Sequence, residues 1–419
     1  MNAAVRSLLR SNPQHGPVDP VLAAIVVALL GFGVTMVFSA SAIEATVVFH
    51  DPFVFLKRQA LYASLALLTT TVVSRIDYKR LLPLTYPILA LVTLLLTLSV
   101  IGFGQTGGGA ARWLRIGPVN VQPSEAAKLA LVLWLGYSLA KKRSSVVSFW
   151  YGMLPHLLMV GLLMLLCLSQ PDFGGAVVLL FLTFALLFVA GARIGYLLGV
   201  GMLGVVAAAI LVRSADYRWA RVVAFMNMDE HRGDLAYQPF QSVMSFGSGQ
   251  WSGMGLGKGL QVLYLPEAHT DFVAAIIGEE LGFIGILCLC VVYVLIVARG
   301  VRAALRADDD YGAYVAFGIS VLFGIQALIN LSVAMAMLPT KGLTLPFISY
   351  GGSSLLVSAA AMGILLNISR SRAAQVNRRS GEPHPEASVL LVSEAEQAPS
   401  RKKRRKSQVA PISDPELST

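Results

Sequence analysis

Apolar runs of about 20 residues, each long enough to cross a hydrocarbon core roughly 30 Å thick, recur along this chain. They lie at about 21–40, 59–74, 82–102, 125–140, 151–169, 173–190, 194–212, 281–298, 312–333 and 353–369. The second is short, and only "SQPDF" separates the fifth from the sixth. They predict an all-α integral membrane protein of about ten transmembrane helices. Composition agrees: of 419 residues 56% are hydrophobic and 13% charged, with mean hydropathy +0.68. Soluble domains carry roughly 25% charged residues. The first run reads as a retained span and not a cleaved leader, because nine more follow.

Lys and Arg in the short loops set the orientation. One side carries Arg6, Arg10, Arg75, Lys79, Arg80, the "KKR" of 141–143, Arg193, Arg299, Arg302 and Arg306. The other has Lys57, Arg58, Arg112, Arg115 and Lys341. Both termini are therefore expected in the cytoplasm, with the large connection 213–280, between spans seven and eight, facing outward. Residues 1–20 form a cytoplasmic tail, 21–369 the membrane domain, and 370–419 a polar tail expected to be disordered. Its "RKKRRK" at 401–406 reads as a solvated charge run, with anionic lipid as the alternative partner.

Several classes fall away. Cys167, Cys288 and Cys290 all sit in predicted spans and read as small packing residues. The six histidines show no zinc-enzyme spacing, and no Walker A motif is present. No nucleotide, haem or nucleic acid is expected as a ligand.

The remaining polar groups collect on the outward face. "RWLRIGPVNVQPSEAAKLA" (112–130) enters the fourth span, with Ser124 as the expected N-cap and Glu125 and Lys128 on one helix face. "QPDFGG" (170–175) puts Asp172 at the lip of the turn between spans five and six. Gln326 and Asn330 lie near the outer end of span nine. "LPTKGLTLPFISYGGSS" (338–354) links spans nine and ten and carries Lys341, Tyr350 and Ser353. "LPEAHTDFVAAIIGEELG" (265–282) holds Glu267, His269, Asp271, Glu279 and Glu280 just before an apolar run. Residues 271–280 are expected to form a short helix at the outer interface or dipping back, with Thr270 as its N-cap. Taken singly, Asp271 is a first-turn helix stabiliser and Glu279 and Glu280 a solvated helix end. The gathering of His269, Asp271, Glu125, Lys128 and Asp172 at one membrane edge argues for a working site. "GMGLGKG" (253–259) precedes no βαβ unit, so it reads as a tight loop allowing close backbone approach.

These motifs, in this order across 112–354, resemble the SEDS family (shape, elongation, division and sporulation) of bacterial membrane proteins. The "PTKGLTLP" form with Lys341 is similar to the family's cell-division branch. The resemblance implies a peptidoglycan glycosyltransferase acting on lipid II, a disaccharide-pentapeptide on undecaprenyl pyrophosphate. It implies an essential aspartate at Asp271, functional residues at Glu125 and Lys128, and a further acid at Asp172. Polymerisation with inversion needs a general base, for which Asp271 is the candidate, and positive charge for the leaving pyrophosphate. Lys128, Arg112, Arg115 and Lys341 can supply that charge. His269, Glu280, Asn330, Tyr350 and Ser353 complete the expected substrate-binding set. Glu125–Lys128 also reads as a purely structural ion pair. A divalent cation, Mg²⁺ or Mn²⁺, is an open candidate, with Asp172 or Glu125 as its ligands. Implied partners are a class B penicillin-binding protein (a transpeptidase), other divisome proteins and membrane lipids. A lipid II flippase and a noncatalytic divisome scaffold stay open as rivals.

Overall fold

The computed structural model describes residues 16–370 except 108–109, 117–118, 144 and 341. The expectations for Lys341, for most of the N-terminal tail and for the C-terminal tail lie outside these residues. Twelve α-helices account for most of the described chain. They are α1 (Pro20–Phe49), α2 (Val54–Arg75), α3 (Thr85–Leu98), α4 (Pro123–Lys141), α5 (Leu154–Ser169), α6 (Phe173–Val189), α7 (Ile194–Arg213), α8 (Asp216–Met226), α9 (Tyr237–Gly249), α10 (Val273–Ala304), α11 (Asp310–Ala334) and α12 (Gly352–Ser369). All but α8 and α9 fall on the predicted spans.

Seven are long and apolar enough to cross a membrane: α1, α3 with its extension to Gly102, α5 with its lead-in from Phe149, α7, α10, α11 and α12. Of the other three, α6 is apolar but only 17 residues long. The sequences of α2 and α4 are more polar. For α4 the reason is position. It packs against α3, α6, α11 and α12, so its side chains meet protein where a peripheral helix meets lipid. At the periphery stands α7, whose only buried residue is Leu197.

Carboxylates start three helices. Asp19 accepts from the N–H of Val21 at 2.9 Å, Asp172 from Gly175 at 2.9 Å and Asp309 from Gly312 at 2.7 Å. Each occupies a free donor of a first turn, where the helix dipole also favours negative charge. The expected Ser124 cap is not used. Gln122 precedes α4 without a side-chain cap and Pro123 opens the helix, the position where a missing N–H is least missed.

Three short strands ahead of α4 form a small antiparallel sheet, a departure from a purely helical chain. Strands β1 (Gln105–Gly107), β2 (Ala110–Ile116) and β3 (Val119–Val121) pair in order. Arg112 and Arg115 sit an odd number of residues apart on β2, so their side chains leave opposite faces.

The region 265–304 explains the glycine-rich loop. Residues 273–304 run as one helix broken at Gly282, whose φ of 66° and ψ of −164° are open only to glycine. The break leaves four backbone groups without helical partners, and the 249–255 loop supplies them. Met254 N–H donates to Glu279 O and Gly255 N–H to Glu280 O, both at 3.0 Å. Phe283 N–H donates to Gln250 O at 2.8 Å and Ile284 N–H to Trp251 O at 3.2 Å. A Cβ at Gly253, where φ is 80°, would strike Glu280 O at 2.1 Å, so the approach requires glycine. The half-helix before the break is fully packed, with Val273 through Ile277 at 0% exposure. It dips back into protein and does not lie on the interface.

Glu279 and Glu280 are likewise buried, against the expectation of a solvated helix end. Glu279 accepts from the N–H groups of Leu260 at 2.8 Å and Gln261 at 3.1 Å. Glu280 accepts from the Ser39 hydroxyl on α1. Thr270 is not the N-cap; its hydroxyl donates to Glu267 Oε2 at 2.8 Å, and Phe272 precedes the helix without a side-chain cap.

Candidate active site

Asp271 lies two residues before α10 in a tight turn. The N–H groups of Thr270, Asp271 and Phe272 all point to Glu267 O at 3.1–3.3 Å, with Glu267 in the left-handed region at φ 59°. Asn330, near the end of α11, fixes this turn to the 338–351 segment. Its Nδ2 donates to Asp271 O at 3.0 Å and to Leu343 O at 2.6 Å. Buried amides rarely leave donors unpaired, so Asn330 works as a clamp between two backbones.

The Asp271 carboxylate faces β2. A Cβ at Gly342 would stand 3.1 Å from Asp271 Oδ2 and 3.6 Å from Arg112 Nη1, so both head groups crowd one backbone position. Arg112 is held there by two carbonyls of the α5–α6 turn. Its Nε donates to Gln170 O at 3.1 Å and its Nη2 to Pro171 O at 2.5 Å. Gln170 in turn donates to Leu96 O and Ser99 Oγ at the end of α3. Burial pushes the Asp271 carboxyl up to about 7; Glu267 and Asp172 add to the rise and Arg112 opposes it. A carboxylate near neutrality is a far better base than a free aspartate.

Under the same loop lies the Glu125–Lys128 pair of α4. Lys128 Nζ is 2.6 Å from Glu125 Oε1, with side chains 1% and 7% exposed. Ser354 donates to Glu125 Oε2 at 3.3 Å and shares a 2.7 Å hydrogen bond with Thr344. Ser353 accepts from Gln122 N–H at 3.3 Å. The pair therefore binds the mouths of α4 and α12 together.

His269 points the other way from Asp271, toward α1 and α2. Its ring is 3.5 Å from Glu44 and packs against Phe55 at 4.6 Å and Tyr350 at 5.5 Å between centroids. Tyr350 N–H donates to His269 O at 2.9 Å, and its hydroxyl is hydrogen-bonded to Arg58. Burial lowers the His269 pKa, while Glu44 and Glu267 oppose the shift. Glu44, Phe55, Arg58 and Glu267 thus join the site's surroundings without having been named as candidates. Arg58 was visible only as an outer-loop cation, and nothing in local spacing marks Glu44 or Phe55.

Asp271, Arg112, Asp172 and Asn330 are therefore brought together, with Glu125, Lys128 and Ser353 beneath the adjoining loop and His269 with Tyr350 on the flank. Glu280 is engaged instead by Ser39 and the glycine loop, and Arg115 leaves the far face of β2. The residues expected to hold a divalent cation are otherwise occupied. Glu125 faces an ammonium, and Asp172 is 3% exposed and caps α6. Among the described residues no three His, Cys, Asp or Glu side chains gather as a metal set. Engaged in these contacts, Glu125 and Asp172 do not form a preassembled divalent-cation site.

Comparison with known proteins extends this picture. The family model FTSW_RODA_SPOVE, described as "Cell cycle protein", matches residues 20–374. A probable peptidoglycan glycosyltransferase FtsW of Geobacter sulfurreducens is 46% identical over 353 residues, covering 84% of this chain and 95% of its own. Stage V sporulation protein E of Bacillus subtilis is 39% identical over 354 residues, 84% of this chain and 97% of its own. Among solved structures, a chain of a peptidoglycan synthase complex that coordinates polymerization and crosslinking superposes with TM-score 0.70 at 31% identity, covering 85% of this chain and 98% of that one. The rod shape determining protein RodA of Thermus thermophilus gives 0.64 at 32% identity, covering 85% and 97%. With its multiple apolar helices, the chain is a multi-pass membrane protein and belongs to the FtsW/RodA/SpoVE family of cell cycle proteins.

Proposed function

We propose that this protein is a peptidoglycan glycosyltransferase that polymerises lipid II at the outer face of the cytoplasmic membrane during septal wall synthesis. The observation that carries the reading is the Asp271 carboxyl, pushed up to about 7 beside Arg112. Asp271 takes the proton from the 4-hydroxyl of an acceptor GlcNAc as its oxygen attacks C1 of the donor MurNAc. The bond from C1 to the pyrophosphate breaks, the electron pair leaves with undecaprenyl pyrophosphate, and a β-1,4 bond forms with inversion. One base suffices, and no covalent enzyme intermediate is required.

Arg112 stabilises the negative charge that builds on the leaving pyrophosphate, with Lys341 as a further cation for it. Asn330 holds the Asp271 turn in register with the loop that carries Lys341. Ser353, Tyr350 and His269 line the approach, and Asp172 and Glu280 support the elements on which the site stands. Lys128 acts from within its ion pair, keeping α4 seated under the 344–354 segment.

The site opens outward if the ten helices that match the predicted spans all cross the bilayer with both termini in the cytoplasm. Residues 213–280 then lie outside, where a class B transpeptidase and other division proteins meet the chain. The relatives' names and the synthase complex support this assignment of substrate and partner.

The test is polymerisation of labelled lipid II by the purified protein. Asp271→Asn should lower the rate by about 10²–10⁴-fold, the usual worth of a general base, while insertion and partner binding persist. Near-normal strand synthesis by that variant would overturn the assignment. Movement of lipid II across liposomes without strands would favour a flippase, and neither activity a scaffold.

A further inference from the structure

At the opposite end of the bundle from Asp271, a cleft of about 530 Å³ is lined by Val147, Ser148, Phe149, Trp150, Arg193 and Tyr196. Its walls are the turn before α5 and the first turn of α7. The aromatic rings brace one another edge-on: Phe149 lies 5.6 Å from Trp150 and 5.5 Å from Tyr196. The only charged residue in the lining is a cation, and the Arg193 guanidinium lies 5.8 Å from the centre of the Tyr196 ring.

The charge on the elements that line it is one-sided, the carboxylates of Asp309 and Asp310 at the start of α11 being paired with Lys79 and Arg143. From Ala126 to Ala215 the sequence holds a single carboxylate, Asp172, which caps α6 at the other end of the bundle. Near the cleft, Arg143 is paired with Asp310 at 2.8 Å, but Lys141 lies over the Tyr137 ring and Arg193 over Tyr196, each with an aromatic face for its neighbour. Lys142 belongs to the same turn and is close enough to act on the His156 ring. A cleft walled by aromatics, with the Arg193 guanidinium in its lining and Lys142 on the adjoining turn, matches a phosphodiester in charge.

Two further features say what carries that phosphodiester. Trp150 and Tyr151 are 70% and 77% exposed beside the cleft, the placement of aromatic residues at headgroup depth. Above it the face of α7 is bare, with Ile194, Leu198 and Met202 all exposed. A free phosphate ion would need neither the aromatic rim nor the apolar face; a lipid uses both. We propose that this cleft binds the headgroup of an anionic phospholipid of the inner leaflet, its phosphate on Arg193 and its acyl chains along α7. The leaflet follows from the orientation proposed above; the binding itself does not depend on the polymerase reaction.

The test uses the full chain, purified in detergent, stripped of lipid and followed by native mass spectrometry. Phosphatidylglycerol should bind more tightly than phosphatidylcholine. Arg193→Gln should weaken phosphatidylglycerol about five-fold, the effect of one cation at a charged membrane surface, and Arg193→Lys should recover most of it. Trp150→Ala should also weaken it, while Arg213→Gln at the far end of α7 should not. Arg193 and Trp150 are exposed, so the fold should survive, and circular dichroism would verify this. Equal affinity in Arg193→Gln, equal binding of the two lipids, or displacement by inorganic phosphate would overturn the proposal. So would a protein or peptide that occupies the cleft in preference to lipid. A cysteine at position 142 that labels from outside would refute the leaflet while leaving both the site and the polymerase assay to stand on their own.

Discussion

Helices α4 and α7 differ by one residue in length, 19 against 20, and share almost nothing else. In α4, 14 residues are buried, among them an ion pair, and five other helices and strand β2 pack around it. In α7 only Leu197 is buried. Yet α7 is long and apolar enough to count as a span, and α4 is not. The contrast teaches that hydropathy measures the need to face lipid. A helix surrounded by protein is released from that need and can carry charge toward a site. A helix left outside must be apolar all round.

The largest expected effect tests the charge inside α4. Lys128→Ala would strand Glu125 without its cation, a loss of about 3–5 kcal/mol for a broken buried pair. Thermal unfolding should drop and polymerisation should fail. Lys142→Ala, at the solvent end of the same helix, should stay within about 0.5 kcal/mol. The double change Glu125→Met with Lys128→Met should recover most of the stability. Recovery of polymerisation with it would show that the pair only holds helices together.

Next in size is the pH dependence of the chemistry at Asp271, beside the sheet that leads into α4. The folded Asp271 carboxyl titrates near 7, so its active, deprotonated form is lost as pH falls below that value. The rate should fall about tenfold per pH unit below 7 and level off above it. Stability runs the opposite way. The folded pKa is raised above 3.8, so folding favours the protonated form and stability declines as pH climbs from about 4 through about 7. Asp271→Asn should remove that slope in unfolding measurements. A flat rate profile from pH 5 to 8 would show that Asp271 is not the base.

The smallest effect compares two glycines. A Cβ at Gly136 of α4 would meet Val315 Cγ2 at 2.7 Å, whereas one at Gly204 of α7 meets nothing within 4 Å. Gly136→Ala should destabilise by about 1–3 kcal/mol through overpacking. Gly204→Ala should be neutral or stabilise by up to roughly 1 kcal/mol, since it improves helix propensity. If both glycines respond alike, α7 is packed against something in the membrane-embedded protein.

What the sequence revealed follows the range of the forces involved. Apolar runs are local, and the helices sit on them, with the boundary near residue 281 appearing as the break at Gly282. The close-approach reading of 253–259 was also within reach, because glycine content is local. The sheet was not, since β1 and β3 have three residues each and too few alternations to show a period. The burial of Glu279 and Glu280 depends on a loop some 20 residues upstream and on Ser39 of α1, which no window contains. The opposed directions of His269 and Asp271 likewise come from distant partners, Glu44 and Phe55 on one side and Arg112 and Gly342 on the other. Composition could place these residues at one edge, but it could not say which of them share a wall.

The plugged break in α10 has a mechanical consequence. Four backbone groups at residues 279, 280, 283 and 284 are satisfied only while the 249–255 loop stays seated. Unseating it in a bilayer would leave donors and acceptors with no water to take them, at several kcal/mol for each group. The loop and the half-helix behind Asp271 are therefore geared together: neither can shift by an ångström or two without dragging the other. A push on the loop is delivered, through peptide groups and not through side chains, to the turn that aims the Asp271 carboxylate.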